Sequence, residues 1–157
     1  MPHREGIRDY LKDVRVYGVV HDWGCGTKPI KNYLMSNEAI FVGIDKLDYV
    51  GADIVVNLEE PIKIGDKADF AFCLEVIEHT WQPAMVLENI YSNMKYGGFL
   101  YLSQPFLYPV HKGDDRLRFT YHGLNRLLKE VGFRVEDIQP TVGDLDHAEG
   151  YVVRARK

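Results

Sequence analysis

The chain has 157 residues, a formal net charge of −4, and a hydrophobic share of 46% against 27% charged, which suits one globular domain over 1–157 with a core of its own. No apolar run approaches the ~20 residues that cross a bilayer, the opening M-P-H-R-E-G has no apolar signal core, and the mild acidity disfavours nucleic acid, which asks for a basic face. Cys25 and Cys73 lack metal-ligand spacing and sit beside apolar runs, so reduced thiols and a cytoplasmic setting are expected.

Ile7, Tyr10, Leu11 and Val14 fall at i, i+3, i+4 and i+7 and predict a short amphipathic helix. Residues 16–22 read as the first strand. Pro29 suits the first turn of a helix, where its missing N–H costs nothing, and that helix ends near Ser36. Strands follow at 39–45 and 53–57. Pro61 and Gly65 punctuate a loop. Residues 68–74, A-D-F-A-F-C-L, predict a strand buried on both faces. Leu87, Ile90, Tyr91 and Met94 give a helical stripe that stops at Gly97-Gly98, and 99–104 is the fifth strand. Thr120 caps a last helix with the stripe Leu124, Leu127, Leu128 and Val131, ended by Gly132. Residues 133–138 and 151–155 close the chain as a hairpin-like pair of strands.

Alternation of this kind implies a mostly parallel sheet with helices on both faces. Ligands of such sheets sit outside the carboxyl ends of the strands, at the switch point. That rule sets Gly24, Asp45, Asn57, Leu74 and Gln104 along one rim.

The stretch His21 to Pro29, H-D-W-G-C-G-T-K-P, follows an apolar run, and V-G-I-D ends at Asp45 one strand later. Gly24 and Gly26 let a ligand approach the turn backbone, and the N–H groups of the helix start after the turn offer partial positive charge to a carboxylate. Asp45 lies about 20 residues beyond the first glycine, the distance at which an acid takes both ribose hydroxyls. A dinucleotide site asks for a third glycine where Pro29 stands, which disfavours a pyrophosphate cradle. An adenosine-containing cofactor is therefore expected.

Four segments resemble the class I S-adenosylmethionine-dependent methyltransferases: D-W-G-C-G-T at 22–27, F-V-G-I-D at 41–45, D-F-A-F-C-L-E-V-I-E-H-T at 69–80 and Y-G-G-F-L-Y-L-S-Q-P at 96–105. The tail L-L-K-E-V-G-F at 127–133 is similar to the family's last helix-to-strand turn. The loop P-F-L-Y-P-V-H-K-G-D-D-R-L-R-F-T further resembles a small subgroup of type 11-like enzymes, from which it departs at Gly113-Asp114. The resemblance implies a Rossmann-like fold: a seven-stranded, mostly parallel sheet with an antiparallel last strand and helices on both faces. It also implies S-adenosyl-L-methionine as cofactor. Its binding residues would be Asp22, Trp23, Gly24, Cys25, Gly26, Asp45, Lys46, Asn57, Leu58, Leu74, Glu75 and Val76. Asn57 stands where the family usually has an aspartate near the adenine amine, and an amide can still accept and donate.

Two readings stand for several side chains. His79 and His111 are candidate general bases, and His79 is equally a histidine that holds its turn by hydrogen bonds. Tyr108, Asp115 and Arg118 are candidate acceptor contacts, and an Asp115–Arg118 pair could equally just fasten the loop. His21 reads as a hydrogen-bonded core histidine, and Trp23 as a wall of the methionine end or as core. No metal cluster is visible. A sulfonium methyl is already activated, so alignment and exclusion of water are the main tasks. The expected activity is methyl transfer to an O or N atom of a small-molecule or glycan-precursor acceptor. The alternative is a cofactor-binding but catalytically silent subunit that acts through a partner. A nucleotide- or dinucleotide-dependent oxidoreductase is a third class. The acceptor-recognition insertions of the family are nearly absent, so a partner subunit or a second copy is expected to help close the acceptor site.

Overall fold

The computed structural model describes residues 2–27, 29–36, 38–48, 51–111 and 113–157. Lys28 of the glycine motif lies outside them. The chain forms α1 (Pro2–Leu11), β1 (Gly18–Trp23), β2 (Ala39–Asp45), β3 (Ile54–Val55), β4 (Ala68–Leu74), α2 (Pro83–Ser92), β5 (Met94–Pro105), α3 (Tyr121–Val131), β6 (Arg134–Pro140) and β7 (Gly150–Arg156). The sheet has seven strands in the order β3-β2-β1-β4-β5-β7-β6. Every neighbouring pair from β3 to β5 is parallel, and β7 runs antiparallel to both β5 and β6. The order reverses between β1 and β4, so the carboxyl ends of those two strands border the switch point.

The pleat of β4 sends alternate residues to two cores. Ala71 and Cys73 join Leu87, Ile90, Leu124 and Leu128 under α2 and α3. Phe70 and Phe72 join Ile7, Leu11 and Ile30 under α1. Phe72 stacks on Tyr101 of β5, with ring centroids 5.1 Å apart. Each fully buried Leu, Ile or Phe contributes roughly 1.5–3 kcal/mol of transfer free energy, so the central strands are the most strongly held part of the sheet. Thr120 caps α3 by accepting from the Gly123 N–H, and Gly132 ends it at φ 119°.

Three expectations are corrected. The helix read from Pro29 to Ser36 is a single 3-10 turn, Ile30–Asn32. Pro29 is extended, at ψ 148°, and the Ile30 N–H goes to the Asp22 carboxylate. The second correction concerns Gly97-Gly98, which do not end α2. Asn93 does, and β5 already begins at Met94. A Cβ at Gly98 would sit 3.0 Å from the Asp69 carbonyl oxygen, so the glycine serves strand approach. Last, β3 is shorter than 53–57. The hydrogen bonds Asp53 N–H to Gly43 and Val56 N–H to Asp45 carry its pairing with β2 on both sides.

Candidate functional site

The turn after β1 is built around backbone that only glycine adopts readily. Gly24 has φ 75° and Gly26 has φ 52°. A Cβ at Gly24 would lie 2.4 Å from Val76 Cγ2, whereas one at Gly26 would meet nothing within 4 Å. The first glycine is thus needed for packing, and the second leaves open space over the turn. Asp45, at the end of β2, accepts from the Gly26 N–H at 2.9 Å and from the Leu47 N–H at 3.1 Å, one bond per oxygen. Each oxygen keeps acceptor capacity for a ligand. Asp22 accepts from the Ile30 N–H at 2.7 Å. Burial pushes its carboxyl up to about 6, with the Ile30 bond opposing and the Asp45 charge adding.

Two clefts open along this rim. One, of about 190 Å³, is lined by Asp45, Lys46, Asn57, Leu58, Val76 and His79, among others. The other, of about 720 Å³, lies between the glycine turn and α1, with Arg4, Ile7, Arg8, Lys12, Tyr33 and Leu74 on its walls. Gly24 and Glu75 line both, so the clefts meet there. Glu75 has φ 58°, the only described non-glycine residue with positive φ. Such a conformation persists only when its surroundings hold it. Its N–H donates to the Ser103 carbonyl and hydroxyl oxygens. Its carboxylate accepts from Ser103 Oγ at 2.9 Å and faces His3 Nε2 at 3.0 Å. His3, buried on α1, also reaches Thr141 Oγ1 at 2.6 Å. The first helix is therefore tied to the end of β4 through the cleft.

Beyond β4 the chain makes a 3-10 turn, Ile77–His79. The His79 Nδ1 lies 2.6 Å from the Asp114 carbonyl oxygen. A carbonyl only accepts, so Nδ1 carries a proton and donates to it, which turns Nε2 toward Glu78. That Nε2 is 3.5 Å from Glu78 Oε1. The His79 and His111 rings stack with centroids 5.4 Å apart. Burial, with Glu75 and Asp115 adding, pushes the Glu78 carboxyl well up. The loop that supplies His111 is braced from within. Arg118 pairs with Asp115 and donates to the carbonyl oxygens of Phe106 and Tyr108 at 2.8 and 3.1 Å. Asp115 also accepts from the His111 N–H at 2.9 Å. The Arg118 guanidinium holds the Asp115 carboxyl down at about 2.

The structure brings Asp22, Gly24, Cys25, Gly26, Asp45, Lys46, Asn57, Leu58, Leu74, Glu75 and Val76 to the walls of the two clefts. Trp23 is not among them. It is 0% exposed in the core under α2 and α3, because the last β1 side chain points away from the rim. His21 is likewise buried, and among the described residues its ring nitrogens make no hydrogen bond of good geometry, the Asp66 backbone being the polar group beside them. Burial pushes its imidazole down, opposed by the Asp66 backbone. Arg118 and Asp115 pair with each other and brace the loop, the arrangement of the loop-fastening reading. Tyr108 packs against the His3 and His111 rings. Asn57 forms a turn, accepting from the Glu59 N–H and donating to Glu60.

Two sets of residues went unread in the sequence. Arg4 and Arg8 on α1, and Lys12 just past its end, recur every four residues, a spacing that puts the two arginines on one helix face. Asn89 and Asn93 on α2 pin the segment after β3. Asn89 donates to the Leu58 and Glu60 carbonyl oxygens and accepts from the Ile62 N–H, and Asn93 accepts from the Ile64 N–H. Leu58 is thereby fixed at the cleft.

Residues 18–138 match the family model described as "Methyltransferase domain". The chain belongs to this methyltransferase family. Among solved structures it is similar to an S-adenosylmethionine-dependent methyltransferase from Mesorhizobium loti, at 16% identity and TM-score 0.75 over 100% of this chain and 98% of that one. It is similar to the 1,6-didemethyltoxoflavin-N1-methyltransferase of Burkholderia thailandensis, solved with S-adenosylhomocysteine bound, at 18% identity and TM-score 0.75 over 99% of this chain and 78% of that one. A Haloferax volcanii methyltransferase in complex with the Trm112 activator aligns at 14% identity and TM-score 0.72, over 99% of this chain and 88% of that one. No curated protein matches the sequence. The methyltransferase uses S-adenosyl-L-methionine, and the rim fits it: a side-chain-free bend, a strand-end carboxylate with spare acceptor capacity, and an apolar wall at Leu58 and Val76. Among the described residues no helix is long and apolar enough to cross a membrane.

Proposed function

We propose that this methyltransferase moves a methyl group to an O or N atom of a small-molecule acceptor, glycan precursors included, seated in the larger cleft beside α1. The observation that carries this reading is the meeting of two clefts of unequal size at Gly24 and Glu75. When bound, S-adenosylmethionine supplies a methyl group already activated on a sulfonium sulfur. Asp45 and Asn57 offer hydrogen bonds to the adenosine part, and Leu58 and Val76 pack against the base. Gly24 lets the methionyl part lie on the turn, with Leu74 and Glu75 on the far side. The larger cleft then has room left for an acceptor. Arg4, Arg8 and Lys12 line it, which favours an acceptor bearing a carboxylate or phosphate. His79 lines the smaller cleft beside Glu75 and is the candidate to take up a proton there. Two buried free cysteines fit a reducing, cytoplasmic setting.

Isothermal titration with S-adenosylhomocysteine, followed by labelled-methyl transfer to a panel of acidic small molecules, tests the reading. Binding at micromolar ligand and turnover of at least one acidic acceptor are expected. Arg4→Ala with Arg8→Ala raises KM for that acceptor roughly tenfold, as loss of about 1.4 kcal/mol of charge-assisted bonding would, and leaves S-adenosylhomocysteine affinity unchanged. No heat from folded protein at high micromolar ligand overturns the assignment of the cleft. The silent-subunit reading is favoured by Leu107 and Val110, 56% and 75% exposed on the loop beside His111. Tight cofactor binding with no turnover, together with a complex on size exclusion, would select it.

A further inference from the structure

The side chains of Glu78, His79 and His111 each turn one potential ligand atom to a common point, and these atoms all lie within 4.8 Å of one another. Glu78 is fully buried, and neither carboxylate oxygen has a hydrogen-bond partner among the described residues. Its Oε1 comes no nearer than 3.5 Å to His79 Nε2. A buried carboxylate with no hydrogen-bond donor is unfavourable, and here it lies beside two imidazoles. The His79 Nδ1–H is fixed on the Asp114 carbonyl oxygen, the arrangement by which a metal-binding histidine is held with its other nitrogen free. His111 is set by its backbone bond to Asp115 and by stacking on His79. His79 lines the smaller cleft together with Asp45 and Glu75, and both histidines are partly exposed, so the cluster opens toward the cofactor rim.

We infer that Glu78, His79 and His111 form a divalent-cation site on the wall of the cofactor cleft, with an open coordination position that takes an oxygen of the acceptor. Two imidazoles and one carboxylate suit zinc, cobalt, iron(II) or manganese, while magnesium and calcium prefer all-oxygen sets. Three protein donors leave room for an exogenous ligand, as at catalytic zinc. Donors each ~2.1 Å from one metal in a tetrahedral arrangement lie about 3.4 Å apart, so metal binding draws the three donor atoms inward. The acceptor-oxygen clause rests on the methyltransferase reading of the cleft; the cation site itself does not.

The test uses the full chain, stripped with a chelator and titrated with Co²⁺ as a spectroscopic probe. One Co²⁺ per chain is expected, with a visible d–d band that Zn²⁺ abolishes and Mg²⁺ leaves intact. Glu78→Gln and His111→Ala each weaken Co²⁺ binding at least about tenfold, with His111→Ala keeping wild-type circular dichroism and melting. Acetohydroxamate, a small oxygen ligand, shifts the band. The cation site is overturned if folded wild-type protein gives no band at high micromolar Co²⁺, or if both variants bind as tightly as wild type. An unshifted band with acetohydroxamate overturns the open position. S-adenosylhomocysteine titration of the stripped protein separates the readings: binding there without any Co²⁺ site sinks the cation inference alone, and a Co²⁺ site without that binding sinks the cofactor reading alone.

Discussion

Gly24 is the residue at the cleft that tolerates least. Its φ of 75° disfavours any side chain, and a methyl there would sit 2.4 Å from Val76 Cγ2. Gly24→Ala therefore combines left-handed strain, about 1–3 kcal/mol, with displacement of a cleft wall. A melting temperature lower by several degrees is expected by calorimetry, together with at least a tenfold weaker S-adenosylhomocysteine affinity by titration. Unchanged affinity would mean that no ligand part rests on this turn. Val76 and Gly24 were both named in the sequence, from the glycine spacing and the E-V-I-E-H segment, and both line the clefts. Their mutual contact was not legible there, because it joins the ends of β1 and β4 across the switch point. Trp23 had two readings, pocket wall or core, and the structure selects core: β1 alternates, and the residue before the turn points inward.

At the scale of elements, the loop between β5 and α3 is tied to the turn after β4 by the Arg116 and Leu117 N–H groups on the Glu78 carbonyl oxygen, and is braced from within by the Arg118 guanidinium. Arg118 joins Asp115 to two carbonyl oxygens, and Asp115 in turn holds the His111 N–H. Arg118→Ala removes the pair with Asp115 and both carbonyl bonds at once, leaving the His111 N–H bond to Asp115. A loosened loop is expected, read as faster amide exchange at 106–118, with the rest of the sheet unchanged and cofactor affinity nearly kept. Protection equal to wild type would show that the loop is held elsewhere. Asp115 adds a pH dependence. Its carboxyl is held at about 2, below its ordinary 3.8, so the unfolded state binds the extra proton and the brace contributes fully above about pH 4. It is lost as pH falls from about 4 to about 2. The D-D-R-L-R run announced an ion pair, but which acid met which arginine depended on the loop's path. The opening helix was legible from its apolar stripe. Its basic face was overlooked because charges on a short helix ordinarily face solvent, and only the sheet opposite turns that face into a cleft wall.

For the whole molecule, burial of acids sets the response to pH. Asp22 is pushed to about 6 from 3.8, chiefly by burial. The native state therefore holds its proton over a window in which the unfolded state has lost it, so stability falls as pH rises from about 4 to about 6. A shift of this size corresponds to roughly 3 kcal/mol at most. Asp22→Asn keeps an acceptor for the Ile30 N–H and is expected to flatten this limb. Urea midpoints at pH 4, 5, 6 and 7 would show the variant gaining on wild type up to pH 6 and then running parallel. Equal slopes would mean that solvent reaches the Asp22 carboxylate.

The amino-acid order alone determined the central strands, the opening helix and the helix before β6, the side-chain-free bend after the first strand and the acid at the end of the second. These are local: periodicity of apolar residues and the glycine preference for positive φ act within a few residues. It also carried the methyltransferase resemblance that the family match supports. Folding decided the rest. The strand order put β4 beside β1, so Val76 and Glu75 closed the bend from across the sheet. The loop after β5 returned over the end of β4, bringing His111 to Glu78 and His79 although more than thirty residues separate them in the chain. Burial, hydrogen-bond partners and proton affinities arise from groups distant in sequence, and no window along the chain contains them.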